Sequence, residues 1–302
     1  MLISVDWGTT NARAWLLDDG GEIRLRASSK AGMGGLSADE FPAALETLVG
    51  AWRADHPDVP VLLSGMVGAK GGWREAGYVG CPFDAATLAE GLVEAAPGVH
   101  IVPGAKTLRT AGTQPVRDVM RGEEVQILGA LAGEEGLTQL CLPGTHSKWV
   151  ELSRGRALDF TTYMTGELFA LLADESILAR SVGDPAASAF GSAFEDGVEV
   201  GRAAPVASAI FGVRTRDVVG GLPPRQNRAF LSGVLIGHEV ANAVSAAPLT
   251  KIGLCGQGSL VALYARALRA LDVDVAKIDV EAATLRGHRA VAKAAGLVET
   301  GS

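Results

Sequence analysis

Two short segments of the chain share one pattern, in which an apolar strand, a Gly-Thr turn and a second strand follow one another. The first segment covers residues 2–17 and turns at Gly8-Thr9, and the second covers residues 140–150 and turns at Gly144-Thr145. Strand–turn–strand runs of this length predict β-hairpins. The repetition of one hairpin in two halves of a chain predicts two related domains.

The elements around the hairpins support this division. Residues 23–27 alternate apolar and charged side chains, which extends the first hairpin into an antiparallel meander. Residues 38–52 and 85–95 have helical periodicity. We place the domains at residues 1–115 and 116–302, and expect the last helix to pack back on the first domain.

Glycine is over-represented, with 39 residues in 302, nearly twice the average share of about 7%. No G-X-Y period is present, so the glycines are expected to serve tight turns and close backbone approaches. They cluster at five places, which are Gly8, residues 32–35, residues 65–72, Gly144 and residues 253–258.

Charge and cysteine content exclude several classes. The net charge is −7 and no basic stripe is present, which argues against a nucleic-acid partner. Three widely spaced cysteines give neither a disulfide framework nor a zinc site. No apolar run reaches the roughly 18 residues of a membrane span, and the N-terminus lacks the basic region of a signal peptide. We therefore expect a cytoplasmic protein with no membrane partner.

The hairpins indicate phosphate chemistry. Backbone N–H groups of a Gly-Thr turn can surround phosphate oxygens, and threonine hydroxyls add donors. Asp6, at the end of the first strand, is placed to hold Mg²⁺, which usually combines one or two carboxylates with substrate phosphates. Two such hairpins are expected to hold a polyphosphate from both sides of a cleft. The Walker, dinucleotide-binding and nucleophile-elbow motifs are all absent.

Longer strings resemble one family, the 2-dehydro-3-deoxygalactonokinases of the actin/hexokinase-like sugar kinase superfamily. The resemblance spans nearly the whole chain and is carried by DWGTTN at 6–11, SGMVG at 64–68, RGEE at 121–124, LPGTHSKW at 142–149, MTGELF at 164–169 and GQGS at 256–259. It implies an α/β fold with two actin/ribonuclease-H-like domains flanking a nucleotide cleft. It also implies ATP-dependent phosphorylation of the 6-hydroxyl of 2-dehydro-3-deoxy-D-galactonate, with Mg²⁺.

The resemblance assigns nucleotide contacts to three motifs, two for phosphate and one for adenosine. The residues are Gly8, Thr9, Thr10, Asn11, Gly144, Thr145, His146, Ser147, Lys148, Gly256, Gln257 and Gly258. The second phosphate motif of the superfamily often carries an aspartate where this chain has Leu142. Metal binding by the second hairpin is therefore in question, and His146 or Lys148 is expected to supply charge there.

A general base must accept the proton of the sugar hydroxyl. The candidates are Glu123 and Glu124, at the start of a predicted helix, and Asp118, since sugar kinases of the superfamily commonly use an aspartate early in the second domain. We rank Glu123 slightly ahead. Acids at the start of a helix also complement its dipole, so both glutamates have a structural alternative.

The sugar acid needs a cation for its carboxylate, for which arginine forks are well suited. The substrate-binding candidates flank the glycine-rich loops, and they are Gly65, Met66, Lys70, Trp73, Arg74 and Arg13. Trp73 either stacks on the sugar or belongs to the core. Residues 32–35 are interpreted as a flexible connection or a second sugar-side loop.

Other functions stay open on the sequence alone. Another sugar or sugar-acid kinase on the same scaffold is the first alternative. A polyphosphate phosphohydrolase, in which Glu123 or Glu124 activates water, and a nucleotide-binding module without catalysis are less favoured. A homodimer is left open.

Overall fold

Short strands and helices alternate along the computed structural model, which describes residues 1–111, 113–183, 191–220, 223–246, 251–256 and 258–299. The strands are β1 (Leu2–Trp7), β2 (Ala12–Leu17), β3 (Ile23–Ser29), β4 (Val61–Gly65), β5 (Tyr78–Gly80), β6 (Val93–Ala96), β7 (Val99–Ile101), β8 (Gly104–Ala111), β9 (Gln114–Met120), β10 (Gln139–Leu142), β11 (Ser147–Ser153), β12 (Arg156–Tyr163), β13 (Lys251–Gly256) and β14 (Asp274–Asp279). The helices are α1 (Phe41–Asp55), α2 (Ala85–Glu90), α3 (Glu123–Gly133), α4 (Thr165–Asp174), α5 (Ala179–Val182), α6 (Ser192–Ala203), α7 (Val206–Ala209), α8 (Gly212–Val218), α9 (Pro224–Ala246), α10 (Gly258–Arg269) and α11 (Val280–Ala294).

Internal contacts divide the chain into two units. The first comprises Met1–Thr138, Val150–Phe160 and Ile278–Ser302, and the second comprises Gln139–Trp149 and Thr161–Lys277. The units are discontinuous in sequence because the chain passes between them four times, just before β10 and within β11, β12 and β14. The single boundary drawn between residues 115 and 116 stays a prediction.

The first unit is built on a six-stranded sheet in the order β3-β2-β1-β4-β7-β6. The first three strands pair antiparallel as predicted, and β4 joins β1 in parallel. Alternation along β1 places Val5 and Trp7 in an apolar core with Phe41 of α1, while Ser4 and Asp6 occupy the opposite face. Three further strands form a separate sheet in the order β5-β8-β9.

The predicted helix over residues 85–95 is wrong in its second half. Helix α2 ends at Glu90, and β6 follows and pairs antiparallel with β7. Gly91 is the C-cap of α2 and packs closely on Pro103, since a Cβ there would lie 2.8 Å from the proline ring. The absence of a side chain at Gly91 lets the chain pass close to Pro103 between α2 and β6.

The last helix belongs to the first unit, where α11 packs against α3, α2 and β1. Glycine permits the close crossing of α11 and α3, because a Cβ on Gly129 would lie 1.7 Å from the carbonyl oxygen of Ala283. This crossing fixes the start of α3, where Glu123 and Glu124 lie.

The second unit contains β10 and β13, which pair in parallel within a five-stranded sheet of order β12-β11-β10-β13-β14. Buried side chains of α6, α9 and α10 pack on this sheet. None of the helices in the described part of the chain has the length and apolar character that a membrane crossing requires.

Candidate active site

The first Gly-Thr turn is a tight hairpin turn with exposed donors. The N–H of Gly8 donates to the carbonyl of Asn11 at 2.9 Å, and Thr9, Thr10 and Asn11 are exposed. Backbone and hydroxyl groups of this turn therefore face solvent, as a phosphate-binding turn requires.

Residues 32–35 lie directly against this turn. The N–H groups of Met33 and Gly34 donate to the carbonyls of Gly8 and Thr9 at 3.0 and 2.9 Å. Gly32 approaches so closely that a Cβ there would lie 2.3 Å from the carbonyl carbon of Thr10. The segment therefore supports the Gly8-Thr9 turn, and its interpretation as a flexible connection or a second sugar-side loop stays a prediction.

Asp6 lies at the end of β1, opposite Arg13 of β2. The Arg13 guanidinium donates to Oδ2 of Asp6 at 2.7 Å, and the side chains are 18% and 42% exposed for Asp6 and Arg13. Both residues line a cavity of about 630 Å³ together with the Gly-Thr turn and Lys30. An anion entering this cavity would meet two cationic side chains.

The end of β4 lies beside Asp6. Ser64 and Gly65 pair with Asp6 and Trp7 across the parallel ladder. Gly65 has φ +90°, and a Cβ there would lie 2.8 Å from the carbonyl oxygen of Trp7 and 3.4 Å from Oδ1 of Asp6. The Ser64 hydroxyl is buried, and it has no hydrogen-bond partner within the described residues.

The first residues of α3 lie beside the end of β4. Gly122 has φ +101°, and a Cβ on it would lie 3.4 Å from Cα of Gly65. Oε2 of Glu123 accepts from the N–H of Arg121 at 3.2 Å, and Glu123 is half-buried. The structure therefore places Glu123 one residue from the contact between Gly122 and the end of β4.

Glu124 has a different environment from Glu123. It is fully buried, and both carboxyl oxygens accept from the N–H of Gly122, at 2.7 and 2.9 Å. Burial, followed by the charge of Glu123, raises the pKa of Glu124 to about 8. Glu124 therefore caps the start of its own helix largely as a neutral acid at pH 7.

Asp118 lies on β9, in the separate three-stranded sheet. It pairs with Thr107 of β8 and accepts from Arg109 at 3.2 Å. Its carboxylate is only 14% exposed. Asp118 therefore has a structural ion-pair partner, and no described contact links it to the turn at Gly122.

The glycine-rich loop after β4 presents two cations. Lys70 and Arg74 are exposed, and Arg74 donates to the carbonyl of Glu94 at 3.3 Å. Trp73 is half-buried and stacks on Phe41, with ring centroids 6.3 Å apart and an interplanar angle of 8°. Met66 is half-buried at the start of the loop. The packing of Trp73 favours its core role.

In the second unit, α4 begins against the Gly144-Thr145 turn. The N–H of Glu167 donates to the carbonyl of Thr145 at 3.1 Å, and a Cβ on Gly166 would lie 2.6 Å from the carbonyl oxygen of Gly144. His146 is exposed on the turn and hydrogen-bonds through Nε2 to the carboxylate of Glu167. A Cβ on Gly144 would meet nothing within 4 Å, so its backbone is open to a ligand.

The side chains of Ser147 and Lys148 point into the protein. Both are buried; the Ser147 hydroxyl bonds to Tyr264, and the Lys148 ammonium donates to the carbonyl of His146 at 2.8 Å. These placements argue against direct nucleotide contacts by either side chain, which the sequence motif suggested. Of the two side chains expected to supply charge here, His146 lies at the surface and Lys148 is buried.

An apolar pocket of about 240 Å³ opens beside Gly144, between α4, α9 and α10. Arg228 lines it and is 9% exposed, with its guanidinium 5.1 Å from the ring centroid of Phe169 and 3.7 Å from Asp174. Nη1 of Arg228 has no hydrogen-bond partner within the described residues. The pocket therefore offers apolar walls and a cationic donor.

The predicted adenosine motif joins β13 to α10. Gly256 ends β13, and a Cβ on it would lie 2.9 Å from Val261. Gly258 has φ +68° and begins α10. Gln257 lies outside the described residues.

A family model described as 2-keto-3-deoxy-galactonokinase matches residues 6–291 of the chain. The chain belongs to this family.

Relatives that are named for this activity match nearly the whole length of this chain. The 2-dehydro-3-deoxygalactonokinase of Escherichia coli (strain K12) is 36% identical over 294 residues, 97% of each chain. A Rhizobium meliloti (strain 1021) protein named for the same activity is 37% identical over 300 residues, 96% of each chain. A solved Sinorhizobium meliloti structure, also named for this activity, superposes with TM-score 0.88 at 35% identity and covers 97% of this chain and 99% of its own. These matches confirm the family and the sugar-kinase fold expected from the sequence.

Three charged residues near the two Gly-Thr turns, Lys30, Arg228 and Glu239, belong to none of the sequence motifs. Lys30 carries no motif and reaches the cavity of Asp6 only because β3 lies beside β2. Arg228 and Glu239 lie on α9 and are 9% and 1% exposed. Arg228 ends the polar segment 225–228, whereas Glu239 comes shortly after a largely apolar stretch at residues 229–237. Burying a charge is costly unless it is paired. A charged residue at an otherwise apolar position of a predicted helix is therefore a sequence signal for a buried polar contact.

Proposed function

We propose that this chain transfers the γ-phosphoryl group of ATP to the 6-hydroxyl of 2-dehydro-3-deoxy-D-galactonate, forming the 6-phosphate and ADP. The observation that carries the proposal is the convergence of Asp6, the Gly8-Thr9 turn and the start of α3 around Gly65. Phosphoryl transfer depends mainly on positioning and charge neutralisation, and this arrangement supplies an acid, donors and cations in one unit.

The phosphates of ATP are assigned to the two Gly-Thr turns. Thr10 would donate its hydroxyl in the cavity that also contains Arg13 and Lys30, and the exposed Thr9 would add a second hydroxyl from the same turn. In the second unit, Gly144 and Thr145 would donate backbone N–H groups. The start of α4 adds the positive end of a helix dipole beside that turn.

Asp6 would hold Mg²⁺. The donor set fits this ion, since Mg²⁺ is commonly bound through one or two carboxylates plus substrate phosphates. The described residues contain no cluster of three His, Cys, Asp or Glu side chains that would form a complete protein site. When bound, Mg²⁺ would neutralise charge on the β- and γ-phosphates. The guanidinium of Arg13 pairs with the Asp6 carboxylate and would compensate its charge when Mg²⁺ is not bound.

Glu123 is the preferred general base. It is half-buried beside the contact of Gly122 with Gly65, whereas Glu124 is sealed in the interior and Asp118 is paired with Arg109. Glu123 would take the proton as the 6-hydroxyl oxygen attacks the γ-phosphorus and ADP leaves. Such general-base catalysis contributes roughly 10²–10⁴-fold.

The sugar acid is assigned to the loop after β4. Lys70 and Arg74 are the exposed cations there and would bind the substrate carboxylate. Arg13 is less suited to that role because it already pairs with Asp6. Gly65 and Met66 would contribute backbone contacts next to Glu123.

The base of ATP is assigned to the pocket beside Gly144. Its volume of about 240 Å³ and its apolar walls suit a purine ring. Nη1 of Arg228, which has no hydrogen-bond partner among the described residues, would donate to a ring nitrogen of the purine, and Gly256 and Gly258 would let the ribose approach the start of α10.

Purified protein tests the reaction directly. ATP and Mg²⁺ are supplied with a panel of 2-keto-3-deoxy acids, aldonates and neutral hexoses, and ADP formation is followed for each. Turnover on a hexose with none on the 2-keto-3-deoxy acids would overturn the substrate assignment. Phosphate release that is equally fast without any sugar would favour the phosphohydrolase.

Light scattering at several concentrations tests the homodimer.

A further inference from the structure

Glu239 lies at the centre of a buried hydrogen-bond network in the second unit. It is 1% exposed, and its oxygens accept from Nε1 of Trp149 and from the hydroxyl of Tyr264, each at 2.7 Å. The hydroxyl of Ser147 lies 3.3 Å from the same carboxylate, and the hydroxyl of Thr165 also donates to it. Four donors from three elements therefore meet one carboxylate on α9.

These donors flank the phosphate turn. Ser147 and Trp149 begin β11, immediately after the turn at residues 144–146. Thr165 begins α4, whose next two residues contact Gly144 and Thr145. The carboxylate of Glu239 thus connects the strand that leaves the turn with the helix that contacts the turn from outside.

The network is electrostatically costly, which argues that its geometry matters. Burial raises the pKa of Glu239, and the four donors oppose that shift. Burial and the charge of Glu239 both raise the pKa of Tyr264 well above its ordinary value. Apolar residues of similar size often replace buried polar groups at little cost in stability, so stability alone does not explain a carboxylate here.

We infer that Glu239 is a positioning residue for nucleotide binding, which fixes the turn at residues 144–146 through Ser147, Trp149 and Thr165. The inference rests on the proposed function of this turn in holding the phosphates of ATP. Glu239 itself is sealed from solvent and touches no substrate. Its effect is exerted through the position of the backbone donors of Gly144 and Thr145.

Steady-state kinetics of Glu239→Gln test this inference. Glutamine keeps one carbonyl acceptor but presents an amide donor to the remaining donors of the network. We expect the KM for ATP to rise about tenfold, the scale of one lost hydrogen bond to a charged group. The KM for the sugar acid should stay within about twofold, because the described members of the network belong to the second unit and the sugar acid is assigned to the loop after β4 in the first. Calorimetric titration with ADP should show the same loss of affinity.

Ser181→Ala is the matched control. Ser181 is also fully buried in the second unit and hydrogen-bonds to Asp217 at 2.8 Å, with no described contact to the turn. We expect it to lower the melting temperature while leaving both KM values at those of the parent protein. Equal rises of both KM values in Glu239→Gln, or an ATP effect of the same size in Ser181→Ala, would overturn the inference.

Two further measurements separate the ways in which the test can fail. If Glu239→Gln does not fold, Trp149→Phe removes the indole N–H that donates to Glu239, together with the five-membered part of the ring, and the same selective rise in the KM for ATP is expected. An unchanged KM for ATP in a folded Trp149→Phe protein would then count against the inference. Failure of the proposed function would instead appear in the parent protein, as absence of ATP-dependent phosphorylation of any sugar acid.

Discussion

The hydroxyl of Ser4 lies 2.5 Å from Nδ1 of His288, and both side chains are completely buried. Ser4 belongs to β1, two residues before Asp6, and His288 belongs to α11. Nε2 of His288 has no hydrogen-bond partner within the described residues. Burial lowers the pKa of His288 to about 3, so the contact joins helix and sheet through a neutral imidazole.

The buried His288 predicts that the folded protein loses stability in acid. Between pH 6.5 and about 3 the unfolded chain binds a proton at His288 and the folded chain does not. The contribution of His288 to the free energy of unfolding is therefore complete above pH 6.5 and is lost as the pH falls. The folding equilibrium changes by up to about tenfold per pH unit. We expect His288→Gln to be less stable at pH 7.5 but to lose less stability between pH 7 and 5.

Urea unfolding at several pH values measures this change. The buried Thr284 of α11 provides a control, since Thr284→Ala removes a hydrogen bond without removing a titratable group and should keep the acid slope of the parent protein. A His288→Gln protein with an unaltered slope would show that the slope arises elsewhere.

The buried Glu124 predicts the opposite pH dependence, in which the stability of the folded protein falls as the pH rises. Its folded pKa is about 8, against an ordinary value of 4.5. The folded chain then holds a proton that the unfolded chain releases, so stability from this group falls as pH rises from 4.5 to about 8. Glu124→Gln cannot ionise, and we expect its stability to vary less between pH 5 and 8 than that of the parent protein.

Activity separates the two neighbouring glutamates. Glu123→Gln should lower kcat by roughly 10²–10⁴-fold if Glu123 is the base, whereas Glu124→Gln keeps its hydrogen bond to Gly122 and should retain most activity. Initial rates with saturating ATP and sugar acid decide between them. A larger loss in Glu124→Gln than in Glu123→Gln would reverse the assignment of the base.

Asp6→Asn tests the metal site. Asparagine keeps the shape of the side chain but loses the charge that would hold Mg²⁺, so we expect kcat to fall by about two orders of magnitude or more. Far-UV circular dichroism should stay unchanged, and Asp58→Asn, at an exposed position, should behave like the parent protein. Near-normal turnover of Asp6→Asn would remove Asp6 from this role.

Local patterns predicted much of this architecture. The turns at Gly8 and Gly144 were found because a strand, a Gly-Thr pair and a second strand are contiguous in sequence. Helix α1 was found from its apolar period, although it begins and ends three residues later than predicted. The helix predicted beyond Glu90 failed because pairing with β7 overrides local propensity.

What the sequence could not reveal depends on contacts between distant segments. Glu123 is associated with Asp6 only because Gly122 packs on Gly65, some 57 residues away in sequence. Ser147 and Lys148 are both buried although neighbouring strand residues usually face opposite sides. Glu239 interrupts an apolar helix, and its four donors come from three other elements.

Gly32→Ala tests the support of the phosphate turn. The new methyl group would lie 2.3 Å from the carbonyl carbon of Thr10, so the turn must shift or the backbone must strain, at a cost of about 1–3 kcal/mol. The KM for ATP should rise severalfold because the donors of Thr9 and Thr10 move together. Gly35→Ala is the matched control, since a Cβ there meets nothing within 4 Å, and its kinetics and melting temperature should match the parent protein. An ATP KM that is unchanged in Gly32→Ala, together with a lowered melting temperature, would show that the segment stabilises the unit without positioning the turn.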